Sequence, residues 1–140
     1  TNGSGSAASY TEISEAQEVS CVGPRDQNET TTRNDGAFKT YDVGHHDLEL
    51  TFTMLATRDD STNAVGTVLA ALVAGWTAGT KFGWAVKDGA IGTTGSMGWE
   101  FDGKITDAER SENLQDGSIT WAFTVKPCTG GNAPAFRTTA

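Results

Sequence analysis

Basic side chains are scarce in this sequence. Ten Lys and Arg stand against 18 Asp and Glu in 140 residues, for a net charge of −8. That balance excludes a nucleic-acid-binding face, because neutralising a phosphate backbone takes clustered Lys and Arg. It excludes a polybasic membrane anchor for the same reason. Only two cysteines occur, Cys21 and Cys128, so there is no disulfide framework and no Cys/His metal spacing. Two readings of that pair stand: two free thiols, or one bridge closing a long loop between the first and last strands. The two histidines, His45 and His46, are adjacent. In an extended segment they point to opposite faces, which is poor geometry for a shared metal and fits a solvated loop pair. No apolar run reaches the ~18 residues a membrane-spanning helix needs.

What is present is glycine, threonine and alternation. Seventeen Gly against three Pro make a turn-rich, β-leaning composition. The first nine residues are small and polar and read as a mobile arm. Residues 10–128 read as one domain and 129–140 as a C-terminal tail. Tyr10–Val22 has β-forming residues with weak alternation. Residues 24–46 are polar and read as a long loop, of a length that is usually functional. Leu48, Leu50, Phe52 and Met54 then alternate with Asp47, Glu49, Thr51 and Thr53, the pattern of a half-buried strand. Asp59 and Asp60 supply helix-start charges. Val65, Val68, Leu69, Leu72 and Trp76 fall on one helical face, which predicts a helix over 61–75 with Gly75 as its cap. Three further alternating runs follow, centred on Trp84, Trp99 and Phe123, with Asp88-Gly89 and Asp116-Gly117 as turns. The tryptophans lie on apolar faces or at the helix end and are expected in the core. The fold class is therefore mainly β: antiparallel strands, one flanking helix and a long loop.

Catalytic patterns do not emerge. The sequence contains no nucleophile elbow, zinc-helix or phosphate-loop motif. Glu49, Glu100 and Asp102 lie on the polar faces of their strands, yet 18 acids on a small surface make such neighbours a matter of chance. No enzyme, cofactor or metal is expected. A surface that binds partners or copies of itself is the better expectation.

Several segments together resemble a known family. Thr30-Thr31-Thr32-Arg33, then Lys39-Thr40-Tyr41, Gly44 and Asp47 to Phe52 are similar to the T-T-R, K-x-Y, G and D-x-x-x-x-F stretch of the major tail tube proteins of long-tailed, siphovirus-like bacteriophages. Gly98-Trp99-Glu100-Phe101-Asp102-Gly103, Arg110-Ser111-Glu112-Asn113-Leu114-Gln115-Asp116 and Phe123-Thr124-Val125-Lys126-Pro127 follow in the family's order. Glu109 stands where the family usually has Ser, and His45-His46 departs from its usual neighbourhood. The likeness runs from Cys21 to Pro127.

It implies a β-sandwich or barrel like those of phage and type VI secretion tube proteins. It implies a virion structural protein, made in the host cytoplasm, that self-assembles into stacked hexameric rings. The rings would form a hollow tail tube around a tape-measure protein, between a tail terminator and distal tail or baseplate proteins, with DNA passing through unbound. By this resemblance, Thr30, Thr31, Thr32, Arg33, Lys39 and Tyr41 belong to a ring-stacking loop. Glu49, Glu100 and Asp102 become lumen-lining candidates, and the helix packs on the outer side of the sheet. The competing reading is an Ig-like decoration or adhesion module, monomeric or trimeric, with a ligand patch.

Overall fold

The computed structural model describes residues 10–13, 16–32, 36–56, 64–113, 115 and 118–139, with the side chains of 64–67 excepted. The expected N-terminal arm, Arg33, Asp59, Asp60 and the Asp116-Gly117 turn lie outside the described residues. The elements run β1 (Ala16–Val22), β2 (Arg25–Glu29), β3 (Tyr41–His46), β4 (Glu49–Ala56), α1 (Ala64–Ala78), β5 (Lys81–Lys87), β6 (Met97–Glu112), β7 (Ile119–Pro127) and β8 (Ala135–Thr138).

Six strands form one antiparallel sheet in the order β1-β4-β7-β6-β5, with β8 also paired to β6. Its centre follows from the alternation. Leu50, Phe52 and Met54 of β4 sit directly across from Val125, Phe123 and Trp121 of β7. Cross-strand pairs share a face, so these residues make one apolar surface. With Leu48, Leu72, Trp84, Phe101 and Ile105 these residues form the core, Trp121 packing against it partly buried. Phe52 packs its ring against both Trp84 and Phe123 at 5.8 and 5.4 Å.

Helix α1 covers this apolar surface. Leu72 is buried, and Val68, Leu69 and Val73 pack on the same cluster. The helix runs past the expected cap to Ala78. There Gly79, at φ +66°, turns the chain, Gly79 N–H donates to Trp76 O, and Thr80 N–H donates to Gly75 O at 2.8 Å. That is a left-handed glycine terminator. Gly75 serves another purpose: a Cβ there would lie 2.2 Å from the Phe82 ring. Trp76, expected inside, is 39 % exposed.

Strand β6 organises the rest. It is 16 residues long, and its register shifts between Ile105 and Asp107, where a bulge bends it. One edge pairs first with β8 and then with β7; the other pairs with β5 as far as Lys104. The chain therefore leaves the sheet after Pro127, makes an excursion over 128–134 and returns in line as β8. The predicted C-terminal tail is thus partly a sheet strand.

The stretch 24–46, expected as a loop, contains an antiparallel ribbon of β2 and β3 separate from the main sheet. In β1, Glu18 holds a left-handed backbone at φ +50° inside a register shift between Gln17 and Ser20. For a side chain with a Cβ this conformation is strained by about 1–2 kcal/mol. Glu18→Gly should raise stability by about 0.5–1 kcal/mol in a denaturant titration, since glycine's greater unfolded freedom offsets part of the relief. Both cysteines are free thiols, and burial pushes the Cys21 thiol above its ordinary range.

Candidate functional site

Three surfaces hold the residues singled out above. The first is the β2–β3 ribbon. Glu29 pairs with Tyr41, and Lys39 Nζ reaches Glu29 Oε2 at 3.5 Å across the exposed end. The threonines close the ribbon. Thr30 N–H donates to Thr40 O at 2.9 Å, and Thr40 N–H donates to the Thr31 hydroxyl at 3.1 Å. Thr30, Thr31, Lys39 and Tyr41 are therefore brought together with Thr40, and the two threonines act as turn-holders. Thr32 follows directly after them.

Every residue of β2 and β3 is exposed. Phe38 is 81 % exposed, Tyr41 53 % and Val43 56 %. Phe38 and Val43 were missed from sequence, although Val43 alternates with Tyr41 and Phe38 stands two residues after a glycine. An isolated two-stranded ribbon is marginal in water. One that also displays three large apolar side chains is built to be covered.

The second surface is the polar face of the main sheet, opposite α1. Here Thr51 and Thr53 of β4 lie across from Thr124 and Ala122 of β7. Lys104, Asp107 and Glu109 of β6 continue the face and are exposed. Glu49 and Lys126 form an ion pair at 3.3 Å, both about two-fifths exposed. Exposed pairs of this kind contribute only about 0–1 kcal/mol. Hydroxyls satisfy neighbouring backbone: Thr53 Oγ1 donates to Gln17 O at 2.9 Å.

The third surface corrects an expectation. Glu100 and Asp102 do project opposite Phe101, as alternation required, but they are only 4 % and 5 % exposed. Lys87 at the end of β5 and Arg137 of β8 close around Glu100, and the 128–134 excursion folds over Asp102. Glu100 Oε1 takes a buried ion pair from Lys87 Nζ at 2.7 Å, and Lys87 also donates to Thr139 Oγ1 at 2.8 Å. Arg137 Nε stands 3.9 Å from Glu100 Oε2.

Asp102 pins the excursion. Its Oδ2 accepts from Asn132 N–H at 2.8 Å and from Asn132 Nδ2 at 2.9 Å. Its backbone N–H donates to Asn132 O, and its carbonyl accepts from Cys128 N–H. Both carboxylates are thus buried and hold the C-terminal segment. Of the three lumen candidates, only Glu49 remains on an open face.

No family model matches the sequence, and no curated protein matches it. Among solved structures, the fold is similar to a chain in the tail of an empty GTA particle with C6 symmetry. The two share 9 % sequence identity over 96 % of this chain and 90 % of that one, with a TM-score of 0.52. At that identity the likeness is one of fold, and it extends over nearly the whole of both chains.

Proposed function

We propose that this chain is a tail tube protein, whose copies close into hexameric rings that stack into a hollow tube. The observation that carries the reading is the end-to-end fold likeness to a chain of a C6-symmetric particle tail. Two features of the surface support it. The sheet ends in β1 on one side and β5 on the other, and open strand edges are liabilities unless another chain pairs with them. The exposed ribbon with Phe38, Tyr41 and Val43 supplies a contact out of the ring plane.

In this reading Thr30, Thr31, Thr32, Arg33, Lys39 and Tyr41 form the stacking element, and Glu49 with its threonine neighbours faces the lumen. The role is structural: the buried carboxylates Glu100 and Asp102 are engaged in holding the fold. Other partners would be the tape-measure protein within and terminator or baseplate proteins at the ends. The place of action is the particle tail, with passing DNA unbound.

The test is negative-stain electron microscopy of the purified protein over a concentration series. Six-fold rings and hollow tubes are expected. A uniform monomer at every concentration would favour the decoration-module reading. Replacing residues 31–39 by Asn-Gly should leave rings that do not stack; full-length tubes from that variant would overturn the stacking assignment. Phe38→Ser removes an apolar contact worth about 1.5–3 kcal/mol if buried between rings, so the concentration needed for tubes should rise about ten- to a hundredfold.

A further inference from the structure

We infer that His46 is a positioning residue that sets the direction in which the β2–β3 ribbon leaves the body. The inference concerns the joint itself; its consequence for assembly rests on the stacking role proposed above.

The ribbon is joined to the body through Gly23-Pro24 on one side and Asp47 on the other. Asp47 N–H donates to Pro24 O at 2.9 Å, which ties the two chains together. His46, the last residue of β3, then makes two contacts. Its Nε2 lies 3.0 Å from Gly23 O; a carbonyl only accepts, so Nε2 carries the proton. Its ring meets Trp99 edge-on, 6.1 Å between centroids at 67°. Trp99 in turn packs edge-to-face on Phe136 of β8, at 5.7 Å and 81°.

Trp99 sits mid-row between Val86 and Phe136 on three paired strands. The imidazole thus leans on an aromatic stack anchored in the rigid sheet. Gly23 makes room for it: a Cβ there would stand 2.7 Å from His46 Nε2. Directly across the ribbon from His46 is Arg25, and the register of β2 shifts between Arg25 and Gln27. Bulges bend and twist a strand pair, so the bend and the imidazole wedge fall at one joint.

The ribbon beyond it is exposed throughout, so the joint governs its aim. A ribbon of five or six residues is about 17–20 Å long, and a 10° change at its root displaces the tip by about 3 Å. That is the width of a contact.

The test uses the full chain, below its assembly concentration, by backbone amide relaxation and residual dipolar couplings. In the native protein the amides of β2 and β3 should tumble with the body. In His46→Ala their order parameters should fall below about 0.6 while those of β4, β6 and β7 stay near 0.85. His46→Phe, which keeps a ring against Trp99, should restore most of the order. Gly23→Ala, which displaces the imidazole without removing it, should loosen the ribbon as well.

Ribbon amides that keep native order and orientation in both His46→Ala and Gly23→Ala would overturn the inference. A ribbon that loosens in both variants while tube yield and twist stay native would uphold the joint and overturn the stacking role.

Discussion

Glu100→Ala is expected to lower stability by about 3–5 kcal/mol, because it strands a buried ammonium. Lys87 Nζ and Glu100 Oε1 meet at 2.7 Å with side chains only 4 % and 5 % exposed. Once the carboxylate is gone, Lys87 retains the Thr139 hydroxyl as its hydrogen-bond partner, and a neutral hydroxyl does not repay the desolvation of a cation. A thermal melt should fall by on the order of 10–20 °C for a domain of this size. The control is informative. Lys87→Met combined with Glu100→Leu removes both charges at similar volume, and should recover most of the loss, since a buried pair and an apolar replacement are often near equal. If Glu100→Ala melts like the native chain, the pair is not buried in solution.

Gly98→Ala is expected to be comparably severe, by about 3 kcal/mol or more, at the high end for overpacking. A Cβ at Gly98 would stand 1.8 Å from Val86 O and 2.7 Å from Lys87 Cα. These are backbone atoms of the facing strand, so no side-chain rotation relieves the clash. The two strands must move apart beside the turn where Asp88 N–H donates to Met97 O at 3.0 Å and Met97 N–H donates to Asp88 Oδ1 at 2.7 Å. Gly92→Ala is the matched control, because a Cβ there meets nothing within 4 Å. Denaturant midpoints should separate the two variants clearly; equal midpoints would refute the close approach.

The legible parts of the fold were those with a buried face. Leu50, Phe52 and Met54 announce their strand because one side meets the core and the other does not. The helix is read from Val68, Leu69 and Leu72 for the same reason. The ribbon was illegible because neither of its faces is buried: Arg25-Asp26-Gln27-Asn28-Glu29 has no apolar period, and its strand character comes from pairing with Tyr41–His46. The second half of β6, Asp107 to Glu112, was hidden likewise, since its charged residues extend beyond the core. Glu100 and Asp102 show a third case. Their phase on the strand was correct, but the cover came from elsewhere in the chain: Gly131 and Asn132 over Asp102, and Lys87 and Arg137 around Glu100, none of them marked by a pattern. Alternation tells which side of a strand a residue takes; it does not tell what later folds over that side.

The polar face of the sheet carries charges of both signs. Outside the buried cluster of Lys87, Glu100 and Asp102, its charged residues include the cations Lys81, Lys104, Lys126 and Arg137 and the carboxylates Glu49, Asp107 and Glu109, spaced among threonines. Charges of both signs are thus interspersed over this face, and at physiological salt each is screened beyond a Debye length of about 8 Å. If this face lines a tube, as proposed above, a polyanion moving along it meets mixed charges rather than a field of one sign, and its drag should depend little on ionic strength.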